Sequence, residues 1–373
     1  MGRLNPAASR QERPAAVPVA AYAVVAAGVS AALHLGKLAP AVPALRESLG
    51  MGLDEAGFLL SLVQVAGMTL GLAVGLMADT LGLRRSMLIG LVLVTLAGAA
   101  GGLVQPGTQA LQWLLLLRAL EGMGFLLAVM PGPGLIRSLA SPAAEKASMG
   151  LWGAYMPVGV SLALLLGPPF IARSGWHAWW WLISALSAFA AVWVALAVGP
   201  DAQRRAGAAA PPPWPGRLSL TLRASGPRLL GLAFAVYSAQ WMAVIGFLPA
   251  IYADAGIAAT WTGVLSAVAA AANIVGNIAG GRFLQAGVAP GRLMRCGYGV
   301  MLVGSLGAFV QWGHGADAWA LPSALRYACV CLFSLGGGMV PATLFMLAVR
   351  LAPSSSTVST TVGLMQQASS LGQ

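Results

Sequence analysis

Charge is scarce in this chain. Charged residues make up 8% of its 373 residues and hydrophobic ones 58%. Soluble globular proteins carry roughly 25% charged residues, so a soluble fold of this composition would expose large apolar patches and aggregate. Acids are scarcer than bases, 10 against 21. The net charge of +11 would suit a nucleic-acid binder, but the bases sit in short gaps between apolar runs, not on one basic face. Cysteine is also scarce. Cys296, Cys329 and Cys331 lie in or beside apolar runs, and the Cys-x-Cys pair lacks a second ligand pair, which argues for packing and against a metal. No Gly-x-x-x-x-Gly-Lys segment is present to cradle ATP phosphates. No metal-spaced His/Asp/Glu cluster and no nucleophile–base pair occurs within the runs. An intramembrane enzyme would need acids or histidines gathered at one interface, and the acids are scattered. The chain is therefore expected to be no enzyme and to use no cofactor and no metal.

Long apolar runs are what the chain has instead. A run of about 20 apolar residues crosses a bilayer as one helix, because backbone in hydrocarbon must satisfy its own hydrogen bonds. Ten are legible: Val19–Ala39, Ala56–Ala78, Ser86–Val104, Leu111–Ile136, Met149–Ile171, Trp179–Val198, Leu229–Tyr252, Trp261–Gly281, Met294–Trp312 and Leu321–Leu347. The first is too long for a signal peptide and nine more follow, so it is expected to be a retained span.

With a cytoplasmic N-terminus, Lys37, Arg46 and Arg173 fall outside and Arg118 and Arg326 within spans, leaving the other 16 of the 21 bases inside. That asymmetry sets the orientation. Trp176, Trp179, Trp180 and Trp181 are expected to form an aromatic belt at the outer interface. Gly199–Arg228, with Pro211, Pro212, Pro213 and Pro215, reads as a poorly ordered cytoplasmic linker. The expected division is a six-helix bundle over 1–198, a linker over 199–228 and a second bundle over 229–373.

The second bundle echoes the first. Span four begins Leu117-Arg118 and ends at a Met130-Pro131-Gly132-Pro133 kink; span ten begins Leu325-Arg326 and reaches Gly338-Met339-Val340-Pro341. Internal repeats of this kind mark secondary transporters, with the binding site between the halves.

Between spans two and three stands Gly75-Leu76-Met77-Ala78-Asp79-Thr80-Leu81-Gly82-Leu83-Arg84-Arg85. Here the chain resembles the major facilitator superfamily. The family pattern is Gly, three residues, Asp, a basic residue, any residue, Gly, any residue, two basics, and Thr80 alone departs from it. Arg118-Ala119-Leu120-Glu121-Gly122-Met123-Gly124 is similar to the family's Arg-x-x-x-Gly-x-Gly element, and Gly159 to Gly167-Pro168 is loosely similar to its antiporter motif. The resemblance implies an all-α polytopic membrane protein of two six-helix bundles. It implies that Asp79, with Gly75, Gly82, Arg84 and Arg85, forms a gating motif facing the N-terminal end of the eleventh helix, here the Ser354-Ser355-Ser356-Thr357 run. In the second bundle Gly280 stands where the acid would be, so a latch there is expected to be weaker. Family members have twelve spans. The sequence reaches Gln373 within the eleventh, so ten full spans and part of another are expected, with one to two helices missing.

Arg118 and Glu121 lie three apart on one helix face, deep in span four. Ionisable groups at that depth usually line a cavity. They attract an anion or tune a proton site on Glu121; otherwise they lock helix packing. Lys37 and His34 are also three apart. Lys37 joins Arg118 in a positive vestibule or snorkels outward, as does Arg326, and His34 alone is as readily a packing residue. Three converging cations would favour an organic anion. Tyr155, Gln240, Trp241, Gln64, Asn273 and Asn277 are the neutral recognition candidates, each with a packing or inter-helical alternative.

The expected function is secondary transport of a small organic solute, an organic anion by preference, coupled to protons. A cyanate- and nitroimidazole-type branch of the superfamily is nearest. The alternative is a drug:proton antiporter; an inert truncated product is a third. The expected partners are the small-molecule substrate, the lipid bilayer and protons, with no nucleic acid. The chain is expected to act as a monomer. Its Arg-, Ala- and Gly-rich composition fits a bacterial inner membrane.

Overall fold

A computed structural model of the chain describes residues 16–201, 212–246, 248, 251–252, 256–312 and 319–373. The first half holds α1 (Val19–Gly36), α2 (Leu38–Leu49), α3 (Leu53–Leu81), α4 (Leu83–Gly101), α5 (Ala110–Val129), α6 (Gly132–Leu139), α7 (Pro142–Gly153) and α8 (Tyr155–Ala197). The second holds α9 (Trp214–Arg223), α10 (Ser225–Trp241), α11 (Ala259–Gln285), α12 (Pro290–Phe309), α13 (Ser323–Leu351) and α14 (Val358–Gly372). A π turn, Met242–Gly246, continues α10, and a two-residue antiparallel ladder pairs Gln311–Trp312 with Trp319–Ala320.

Among the described residues, eight stretches are long and apolar enough to cross a membrane. One of them, Pro142–Ala197, contains both the fifth and sixth expected spans; the ninth, Met294–Trp312, is not among the eight, and its helix α12 carries Arg292 and Arg295 in its first turns. The range of α8 holds two helices that meet at Gly175, whose φ of 78° and ψ of 164° are open to glycine and strained for other residues. Leu53, Phe58, Leu96, Leu103, Phe189 and Leu196 are exposed on the helix flanks, as side chains facing hydrocarbon should be. The interior is built largely of alanine, glycine and serine, which lets helices approach closely.

The two proline motifs behave differently. Pro131 and Pro133, two residues apart, end α5 and start α6, while α13 continues through its single Pro341. One missing N–H is tolerated inside a membrane helix; two in one turn are not. The linker is more ordered than its composition suggests. Its described part folds as α9, entered at Pro213–Trp214 with Pro215 in its first turn, and buries Arg217 and Thr221 one turn apart.

Two of the helix pairs that join the halves are lined by glycine. α3 lies on α14 along Gly67, Gly71 and Gly75, where a Cβ at Gly75 would collide with the Ser359 carbonyl oxygen. α7 lies on α11 at Gly150 and Gly281, each of which leaves no room for a side chain on the other.

Candidate functional site

Four ionisable side chains meet inside the first half. His34, Lys37, Arg118 and Glu121 are all buried, at 0%, 0%, 5% and 3% exposure. Lys37 Nζ donates to Glu121 Oε1, and Arg118 Nη1 donates to Glu121 Oε2 at 3.0 Å. His34 Nδ1 lies 3.2 Å from both Glu121 Oε1 and Lys37 Nζ, and its Nε2 lies 2.9 Å from Ser187 Oγ. Ser187 spends its own proton on the Ile183 carbonyl (3.1 Å), so it accepts from His34 Nε2–H. That leaves Nδ1 of a neutral His34 as an acceptor for Lys37. Lys37 Nζ also sits 4.8 Å over the Trp180 ring, a cation–π contact.

Local structure explains why Arg118 belongs here. α1 ends at Gly36 and the chain re-forms as α2 one residue later, so the last carbonyls of α1 are left for other donors. Arg118 caps the end: Nη1 donates to the His34 carbonyl and Nη2 to that of Leu35 (3.2 Å), while Nε reaches the Leu59 carbonyl (3.3 Å). A guanidinium at a helix C-terminus also suits the helix dipole. Trp179 Nε1 takes the Lys37 carbonyl at 3.1 Å. Two cations against one carboxylate, with His34 neutral, leave the cluster one positive charge in excess.

Lys37 therefore does not snorkel, and the expected aromatic belt is corrected too. Trp176, Trp179 and Trp180 are buried in the bundle, where their N–H groups or faces find partners: Ser48 Oγ at 3.0 Å, the Lys37 carbonyl and the Lys37 ammonium. Trp181 alone of the four is exposed. Arg326 stays apart from the cluster and donates to the Ala308 carbonyl at 2.7 Å, in its own half. The three-cation vestibule is thus a two-cation, one-acid core.

The neutral candidates form a second group. Asn273 donates to the Tyr237 hydroxyl (3.1 Å) and the Ser334 carbonyl (3.0 Å), and Asn277 donates to Asn273 Oδ1 at 2.8 Å. Asn277 Oδ1 and Ser334 Oγ are buried without partners among the described residues. Tyr155 stacks on Trp152 at 4.6 Å, and both meet Phe345 of α13 at 6.4 Å. Aromatic residues from both halves thus touch at the centre. Gln240 is half-buried beside Trp241, and Gln64 accepts from Ser370 of α14 at 3.5 Å.

The third group lies at the end of α3. Asp79 is buried; Oδ1 accepts the Ser359 amide at 3.0 Å and Oδ2 the Thr360 amide at 2.7 Å. A carboxylate on the first amides of a helix is a charge-assisted cap, here reaching from one half to the other. Gly82 (φ 108°) turns the chain into α4, and Asp201 caps that helix by accepting the amides of Arg84 (3.1 Å) and Arg85 (3.0 Å). The Arg84 side chain reaches the Ala195 carbonyl at 2.8 Å. On the α7–α11 side no acid contributes among the described residues; Gln285 donates to the Ala143 carbonyl at 3.0 Å and Ser141 caps α7.

Sequence reasoning missed Ser187, Trp152, Asp201 and Arg217. Ser187, Trp152 and Arg217 are single residues in helices with no flanking pattern. Asp201 carried a signal: an isolated acid opening an otherwise basic linker.

These features define a multi-pass membrane protein of two helical halves. The family model of the Major Facilitator Superfamily matches residues 20–373, and the chain belongs to that family. It is 29% identical over 238 residues to the cyanate transport protein CynX of Escherichia coli (strain K12), covering 63% of this chain and 58% of that protein. It is 30% identical over 143 residues to the multidrug resistance protein Stp of Mycobacterium tuberculosis (strain CDC 1551 / Oshkosh), covering 37% of this chain and 25% of that one. The matches thus span less than two thirds of either relative. Among solved structures, the proton:xylose symporter XylE bound to 6-bromo-6-deoxy-D-glucose superposes with a TM-score of 0.72 at 13% identity, covering 95% of this chain and 86% of that one. A double-tryptophan XylE mutant gives 0.77, also at 13% identity, covering 94% and 85%. At that identity the likeness is one of fold.

Proposed function

We propose that the protein is a secondary transporter of a small organic anion, working by alternating access with proton coupling. The observation that carries this reading is the buried cluster of Lys37, Arg118, Glu121 and His34 with its excess positive charge. An uncompensated charge out of water is costly, and a visiting anion would neutralise it. The similarity to a cyanate transport protein agrees with a small anion. Proton coupling is supported by His34 Nδ1, which faces both Lys37 and Glu121. Neutral, it accepts from Lys37; protonated, it donates to Glu121 and Lys37 must turn away.

The halves, 1–198 and 229–373 with 199–228 between them, rock about the centre. Asp79, Gly75, Gly82, Arg84 and Arg85 close the cytoplasmic side, and Tyr155, Gln240, Asn273 and Asn277 supply neutral contacts. The membrane is a bacterial inner membrane, the N-terminus is cytoplasmic, and the chain works as a monomer.

The test is uptake of labelled cyanate and small carboxylates into proteoliposomes. Arg118 caps α1, so the variant that removes charge without a cap is Lys37→Gln. It should abolish anion uptake, with Arg118→Gln behaving likewise; unchanged uptake in both would remove the anion reading. A second reading, drug:proton antiport, is favoured by the aromatic contact of Trp152, Tyr155 and Phe345 and by the similarity to Stp. It predicts export of lipophilic dyes that survives Lys37→Gln.

A further inference from the structure

Position 80 holds threonine where the superfamily pattern has a basic residue. The structure brings a base to that position from elsewhere in the chain. Arg217, on the linker helix α9, donates from Nη2 to Thr80 Oγ1 at 2.6 Å. The contact is a built one. Arg217 is 3% exposed, and Thr221, one turn further on the same face, is fully buried and ties its hydroxyl to the Arg217 carbonyl at 3.0 Å. α9 packs on α3 of the first half and also on α14 and the Ser355–Thr357 turn of the second. It therefore lies across the seam that Asp79 closes.

Resting on the latch reading above, we propose that Arg217 is a positioning residue of the cytoplasmic latch, supplying from the linker the positive charge that position 80 lacks. Two features support it. The guanidinium touches the residue next to Asp79, whose carboxylate holds the Ser359 and Thr360 amides, so it fixes the end of α3 that presents this acid. Its Nε and Nη1 are buried without partners among the described residues. A closed state that leaves donors unpaired is poised to open rather than locked. Through α9 the linker reports on the seam: when the halves part at the cytoplasmic side, Arg217 must leave Thr80 or be carried away from α14.

The experiment reads the seam directly and needs no substrate. Ser359→Cys is introduced into the full chain with Cys296, Cys329 and Cys331 changed to Ser. Ser359 is fully buried at the seam, and cysteine is close to serine in size, so the probe disturbs the packing little. A membrane-impermeant maleimide is applied to inside-out vesicles. Arg217→Gln should raise the labelling rate severalfold, Arg217→Lys should stay near the parent, and Thr80→Arg with Arg217→Gln should bring the rate back. A merely packing residue would not be rescued by a cation placed on the other helix. Should Arg217→Gln fail to accumulate, Thr80→Val in the parent removes the same contact and is expected to raise labelling. If Asp79→Asn raises labelling while Arg217→Gln and Thr80→Val do not, the role assigned to Arg217 is wrong. If Asp79→Asn also has no effect, the latch reading itself falls.

Discussion

Asp79 Oδ2 accepts both the backbone amide and the hydroxyl of Thr360, each at 2.7 Å. One carboxylate oxygen of the second span thereby holds two donors at the head of the eleventh. The carboxylate comes from one half and the amides it caps come from the other. The pair ties the two halves together in this structure.

Asp79→Asn keeps the shape and loses the charge. One of its two terminal atoms becomes a donor facing donors, so at least one bond turns repulsive. A charge-assisted bond is worth about 1.5–3 kcal/mol, and about 1.4 kcal/mol is a factor of ten in a population. The closed state should lose at least tenfold in relative population. Expected in proteoliposomes is a comparable fall in uptake with normal amounts of folded protein. Wild-type uptake by Asp79→Asn would show that the contact does not gate.

Two glycines on α3 should respond oppositely to the same change. At Gly75 a Cβ would collide with the Ser359 carbonyl, so Gly75→Ala forces the two helices apart, costing about 1–3 kcal/mol. At Gly57 a Cβ meets nothing within 4 Å, so Gly57→Ala should gain about 0.5–1 kcal/mol from helix propensity alone. Thermal melting in detergent checks both, with a fall for the first and a small rise for the second.

Much of this was legible in the sequence. The spans followed from run length, since hydrocarbon leaves the backbone few choices. The Asp79 contact was implied by the resemblance of the Gly75–Arg85 stretch to the family motif. What was not legible depends on which way a side chain turns. Lys37 and the tryptophans after Gly175 sit at a depth where pointing outward and pointing inward both satisfy them. The choice is made by Glu121, 84 residues on from Lys37 in the sequence. The order of the linker was hidden for a related reason. Proline and arginine argue for a loop, and α9 is stable because the seam between α3 and α14 offers it a place to bury Arg217.

The ion cluster should be most sensitive at its single acid. Glu121→Gln leaves Lys37 and Arg118 buried together without a counter-charge, a loss of about 3–5 kcal/mol. Lys37→Gln leaves a one-to-one pair and should cost less. Arg118→Lys keeps the charge but loses the fork that caps the His34 and Leu35 carbonyls, so it should still destabilise. Melting temperatures should fall in the order Lys37→Gln, Arg118→Lys, Glu121→Gln, with the last variant lowest. If Glu121→Gln melts like the parent, the cluster is not charged as drawn.

Trp152 offers a test at the centre of the molecule. Its ring is fully buried, wedged against Gly28 and Gly132, stacked on Tyr155 and set edge-on to Phe345 of the other half. Trp152→Ala should cost about 3–5 kcal/mol through the cavity it leaves. Trp152→Phe is a different matter. The indole N–H is buried without a partner among the described residues, and removing an unpaired buried donor recovers about 1–3 kcal/mol. That gain offsets most of the lost ring volume, so Trp152→Phe should melt within a few degrees of the parent. Transport separates the two possible roles of the N–H. If it serves as a donor to the solute, Trp152→Phe raises KM while leaving the melting temperature alone. An unchanged KM assigns Trp152 to packing between the halves, and a melting loss as large as that of Trp152→Ala would mean the N–H is paired in the folded protein.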